Sequence, residues 1–206
     1  MARRQSVLSD NAETARTQIL AAADNAVERF GIVKTTIDDV ARETGVSRPT
    51  IYRYFRDRDT LITALIEARA RRLFRDAHAY VAHLGSFSEQ LVDGLLYLVD
   101  RGRRDAAIRL IVSPEHVGRS TALEGSSELA ARLTFEMWAP LIEAARARGE
   151  IREGITDAEI CTWITLVELI LVGRMDFGDP MGETNRNLLT KLLLPGIVTG
   201  VTSTAS

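Results

Sequence analysis

Arginine, tyrosine, serine and threonine crowd the stretch GVSRPTIYRYF at residues 45–55, and each can grip a nucleic acid. An arginine guanidinium forks onto guanine O6 and N7, while threonine or proline carbons meet a thymine methyl. Serine and tyrosine hydroxyls donate to phosphate oxygens, which fixes register without reading sequence. With Ile51 and Phe55 turned inward as anchors, Arg48, Pro49, Thr50, Tyr52, Arg53 and Tyr54 remain on the outer side. From Arg48 to Arg75 the sequence carries eight arginines against three acids, Asp57, Asp59 and Glu67. The whole chain of 206 residues has a net charge of −2, so only the placement of the positive charge argues for a duplex.

Other chemistries find little to work with. His78 and His83 stand five apart, on different sides of a helix, and no Glu-x-x-His pair recurs for a metal. Cys161 is the sole cysteine, has no base beside it in sequence, and fits a reducing cytoplasm. No glycine-rich loop has the spacing that cradles phosphates. The expectation is a protein with no catalytic residue, no metal and no cofactor. The opening MARRQSV lacks the apolar region of a secretory signal. The longest apolar run, around residues 164–173, is broken by Thr165 and Glu168 and too short for a membrane span. A soluble, cytoplasmic protein with no membrane partner is expected.

The elements that must position the outer residues read as helices throughout, an all-α fold. A first periodic segment, 14–30, puts Ile19, Ala22, Ala23, Ala26, Val27 and Phe30 on one face, with an Asp10–Glu13 capping box and a stop at Gly31. Thr36 caps a second, short helix containing Ile37, Val40 and Ala41. Gly45 tolerates the positive φ of a tight turn. Ser47 then caps a third helix, with Pro49 in its first turn. A long pattern follows from Asp59 to about Val81. Further helices are predicted over 87–99, 105–112, 127–148 with a kink at Pro140, 157–175 and 185–194.

Small Ala41, the turn at Gly45 and the apolar anchor Ile51 have the spacing of a helix-turn-helix, whose second helix enters the major groove. The stretch TTIDDVARETGVSRPTIYRYFRDRDTLITAL, with ILAAADNAVERFG upstream, resembles the N-terminal domain of the TetR family of transcriptional regulators over about residues 15–66. The resemblance implies that Thr36, Ser47, Tyr52, Tyr54 and Arg58 hold phosphates, while Arg48, Pro49, Thr50 and Arg53 meet base edges. Arg58 stands where the family usually has lysine, which keeps the charge and changes the contact geometry. Arg3 and Arg4 could sit in a neighbouring minor groove.

The implied organisation is an N-terminal arm and DNA-binding head at 1–57 and a helical effector-binding and dimerising body at 58–206. A lone helix-turn-helix makes few contacts, so pairing on a palindromic operator is expected. Apolar residues in excess of one helix face, Trp163, Ile164, Val167, Ile170 and Leu171, with Leu189 and Leu193, offer a homodimer interface. Members of the family usually bind a small molecule in the body; Tyr97, His116, Phe135, Trp138 and Glu168 are the polar and aromatic candidates for that pocket. A hydrophobic effector that releases a repressor from its operator is the leading expectation. The alternative is a helix-turn-helix activator or architectural DNA binder with no effector.

Overall fold

The computed structural model describes residues 8–9, 11–112, 126–173 and 179–200. These residues are helical apart from turns and one isolated antiparallel bridge, Ile151 with Val198. The chain divides into two compact units within its fourth helix, after Arg69.

In the first unit, α1 (Ala12–Phe30) begins where the Asn11 side chain accepts the Glu13 and Thr14 amides, one residue later than the expected box. It ends at Gly31, whose φ of 79° suits a residue without a Cβ. Ala15, Ile19, Ala22, Ala23, Ala26 and Val27 are buried along one face, but Phe30 at the last turn is exposed. Thr36 and Asp39 form a reciprocal capping box on α2 (Ile37–Thr44), and Gly45 leaves that helix in the left-handed region at φ 74°. Ser47 caps α3 (Arg48–Tyr54) with Pro49 in the first turn, where its missing N–H has no partner to lose. Val40, Ile51, Phe55, Leu61 and Leu65 form the centre of this unit, each essentially shut off from solvent. The short helices are marginal alone, and this shared core supplies their stability. The Asp57 carboxylate takes the Thr60 amide and hydroxyl, both at 2.7 Å, and opens α4 (Arg58–Val81).

The second unit packs α5 (Phe87–Arg104), α6 (Ala106–Val112), α7 (Ser126–Ala147) and α8 (Asp157–Gly173) with the later part of α4. Ser86 and Glu89 box the start of α5, and Asp105 both ends α5 and receives the Ala107 amide of α6. Pro140 lies inside α7 on its exposed side, and the helix continues through it. The last segment is longer than its periodicity suggests. It runs as α9 (Glu183–Leu188), a π-helical turn at Leu189–Leu193, and α10 (Leu194–Ile197). The widened turn comes just before Pro195, which has no N–H to continue an α-helical ladder.

Trp138 sits at the centre of this core, fully buried among Leu95, Leu96, Ile142 and Ile164. Gly94 of α5 makes that possible: a Cβ there would come within 2.7 Å of the indole and 3.3 Å of Val81. Among the described residues no helix is long and apolar enough to cross a membrane.

Candidate nucleic-acid interface and effector cavity

The outer face of α3 is built as its sequence suggests. Arg48, Pro49, Tyr52 and Arg53 are exposed, Thr50 and Tyr54 half-buried, while Ile51 and Phe55 point into the core. Ser47 Oγ accepts the Thr50 amide and lies 2.9 Å from Thr50 Oγ1, so the first turn is fixed by its own hydroxyls. Arg53 donates to the Tyr54 hydroxyl at 3.3 Å and covers that ring, its guanidinium carbon 5.1 Å from the centroid. Behind the helix, Arg16 donates to the Tyr54 carbonyl at 3.1 Å and stacks on the Phe55 ring at 4.3 Å, which satisfies an end carbonyl.

Arg48 is not idle in this state. Its Nε lies 3.1 Å from Asp38 Oδ1 of α2, an exposed ion pair across the turn. The Tyr52 hydroxyl beside it, and then Asp38, favour its charged form. Asp38, on the first turn of α2, is a partner at this face that the residue pattern did not single out.

Two expected phosphate ligands are otherwise engaged. The Thr36 hydroxyl donates to Asp39 Oδ2 at 2.6 Å and the Thr36 amide to the same oxygen at 2.9 Å, and these bonds hold the Asp39 carboxyl below its usual range. Arg58 departs further from expectation. Its Nε donates to the Thr35 carbonyl at 2.7 Å, and its Nη2 to the Ile32 and Val33 carbonyls at 2.6 and 3.1 Å. The guanidinium therefore locks the loop between α1 and α2 instead of reaching outward, because a planar fork fits converging carbonyls that an ammonium could meet only in part. Arg3 and Arg4 lie outside the described residues.

In the second unit a cavity of about 60 Å³ opens among α4, α5, α6, α7 and α8. Phe74, Leu98, Leu133, Leu169 and Val172 give it carbon walls. Three polar side chains reach it, Thr134, Thr165 and Glu168. The Thr165 hydroxyl already donates to the Cys161 carbonyl at 2.9 Å. Glu168 receives Thr134 Oγ1 at 2.9 Å on one oxygen and Trp138 Nε1 at 3.2 Å on the other. Both bonds favour the carboxylate, but burial outweighs them and pushes its pKa up to about 7.

Of the residues expected to line a pocket, Glu168 is on the wall and Trp138 stands directly behind it, holding it. Tyr97 is not there; it stacks on Tyr80 with centroids 4.8 Å apart. Phe135 is half exposed, because its position on α7 lies on the side away from the core. His116 lies outside the described residues. Thr134, one residue before Phe135, is the α7 group that does reach the cavity. Its inward position follows from the helical spacing of Leu133, Met137 and Trp138, all buried.

The expected pairing surface also needs correction. Ile164, Leu189 and Leu193 belong to the unit's own core, and Val167 and Leu171 are half-buried against it. Trp163 and Ile170 do face out, joined by Leu166, Leu188 and Leu192, which is 73% exposed. The outward stripe of α8 thus runs Trp163, Leu166, Ile170, and the inward one Ile160, Ile164.

A short helix locked by a glycine turn to a second helix, with arginine and tyrosine facing out, defines a helix-turn-helix DNA-binding protein. Residues 19–65 match the family model of bacterial regulatory proteins of the tetR family. The chain is 29% identical over 177 residues to the uncharacterised helix-turn-helix transcriptional regulator Rv2250c of Mycobacterium tuberculosis, covering 84% of this chain and 88% of that protein. Among solved structures it resembles a tetR-family regulator from Pectobacterium atrosepticum, with TM-score 0.64, 17% identity, and 91% and 96% of the two chains covered. It also resembles the regulator FadR of Bacillus subtilis in complex with stearoyl-CoA, with TM-score 0.56, 17% identity, and 88% and 98% covered. Residues 19–65 thus carry a tetR-type DNA-binding domain, and most of the chain is similar to a helix-turn-helix transcriptional regulator.

Proposed function

We propose that the protein is a repressor that sits on a palindromic operator as a homodimer and leaves it when a small molecule fills the cavity over Glu168. The head is residues 1–57 and the sensing and pairing body 58–206. The observation that carries the reading is the pairing of an outward arginine–tyrosine face on α3 with an apolar cavity that holds one half-buried acid. Arg48, Pro49, Thr50 and Arg53 read base edges, while Ser47, Tyr52 and Tyr54 hold phosphates together with the backbone of Thr36. The Trp163–Leu166–Ile170 stripe, with Leu188 and Leu192, is apolar surface of the kind a second copy covers. A dimer over a promoter represses by occupancy. Release requires the effector to bind the DNA-incompetent form more tightly than the competent one.

The cavity supports this reading over an activator or architectural binder without an effector. Its present volume accommodates only a few waters, so an effector enters by parting the carbon walls at Phe74 and Leu133. The test is footprinting on DNA flanking the protein's own gene, followed by affinity measurements on the protected site. Arg48→Ala should weaken binding about 10- to 100-fold, as expected for a lost guanine fork, and Tyr52→Phe about fivefold. Both variants should keep wild-type circular dichroism. Unchanged affinity in both removes α3 from the interface.

A further inference from the structure

The class of molecule is read from this chain's own cavity, and the inference rests on that cavity being the effector site. We propose that the cavity selects small apolar cations, molecules with one ammonium group that sits against the Glu168 carboxylate while their carbon skeleton lies among Phe74, Leu133 and Val172.

The polar inventory is one-sided. Among the described residues that line the cavity, Glu168 is the one with a charged side chain, and no described arginine, lysine or histidine joins it there. Thr134 and Trp138 each donate one bond to it. Each carboxylate oxygen takes two hydrogen bonds, so a bonding position remains on each. A carboxylate largely removed from water, with no countercharge among the described lining residues, is unfavourable, and this desolvation raises its pKa to about 7. An ammonium supplies the missing charge and donors at once. An alcohol supplies a donor only, and a carboxylate adds a like charge with no cation to meet it.

Neighbouring charges leave the carboxyl to titrate by itself. On α8 the Cys161 thiol is pushed up to about 11 by burial and stays neutral at ordinary pH. Arg103 of α5 donates to the Leu171 carbonyl, Arg71 of α4 pairs with Glu136 of α7 at 3.6 Å, and Arg109 of α6 is exposed.

The experiment uses the full chain and three probes of one shape, benzylamine, benzyl alcohol and benzoate, titrated by calorimetry at pH 6, 7 and 8. At pH 8 the amine should bind at least about tenfold more tightly than the alcohol, and benzoate should not bind. Its ammonium stays charged throughout, so its affinity should rise about tenfold from pH 6 to pH 8 as Glu168 ionises, while the alcohol stays flat. In Glu168→Gln the preference for amine over alcohol should shrink to within about twofold. If that variant does not fold, the pH series on the wild type decides alone. Alcohol or benzoate binding as well as the amine, or amine affinity that ignores pH, overturns the cationic class and leaves the effector cavity standing. Failure of all three to bind the wild type removes the effector reading itself and the class with it.

Discussion

Replacing Glu168 with glutamine should make the second unit more stable at pH 8 than the wild type. The carboxyl holds its proton to about pH 7 when folded and to 4.5 when exposed, so the folded state binds the proton more tightly. Stability associated with this group is therefore fully present below pH 4.5 and is lost as pH rises to about 7. At 1.36 kcal/mol for each pH unit, the loss comes to about 3 kcal/mol. Glutamine has nothing to ionise. Its amide oxygen can take the Trp138 N–H, and its NH₂ can donate to Thr134 Oγ1, whose hydroxyl rotates to accept. Both tryptophans, Trp138 and Trp163, lie in the second unit, so their fluorescence follows its unfolding alone. Thermal or urea titrations at half-unit steps from pH 4.5 to 8 should show the two proteins diverging with pH. The gap should approach about 3 kcal/mol, or roughly 6–12 °C in Tm for a chain of this size. A gap that stays constant over the whole range would refute the buried, proton-retaining carboxyl.

Arg58→Ala should destabilise the first unit by about 2 kcal/mol, the value of charge-assisted bonds to the Ile32, Val33 and Thr35 carbonyls. Hydrogen exchange at residues 31–37 would detect it, and Arg58→Lys should recover only part of the protection. Asp38→Asn frees Arg48 from an exposed ion pair, so operator affinity in fluorescence anisotropy should rise about two- to fivefold, with a smaller gain in high salt. Ile170→Glu with Leu192→Glu should shift sedimentation towards monomer without loss of helical signal. Leu189→Ala, inside the core, should instead lower stability by about 2–4 kcal/mol.

The first unit was readable in the sequence because its boundaries are set by local chemistry. Thr36, Gly45 and Ser47 each do one thing that few other residues can do, and each does it where the spacing requires. The engagement of Arg58 was not legible because its partners are backbone carbonyls 23 to 26 residues earlier, which no side-chain pattern announces. α8 was harder still. It is apolar nearly all round, so periodicity could not say whether Ile164 or Leu166 faces inward; packing against α5 and α7 decides that. The cavity residue Glu168 stood out as an acid in an apolar run, but Thr134 and the indole that hold it became evident only from the packing of two helices. The π-helical turn before Pro195 has no signature beyond the proline itself.

The close approach of Gly94 to Trp138 constrains how this regulator can drift. Any other residue at 94 would drive the indole from its seat, and the acid's anchor would move with it. Descendants that adapt to bulkier molecules can therefore remodel only the opposite wall, where Phe74, Leu133 and Val172 can be exchanged for smaller or larger carbon side chains without disturbing the Glu168 anchorage. On the proposed reading, ligand size is thus the trait free to diversify, while the preferred charge is inherited with the glycine.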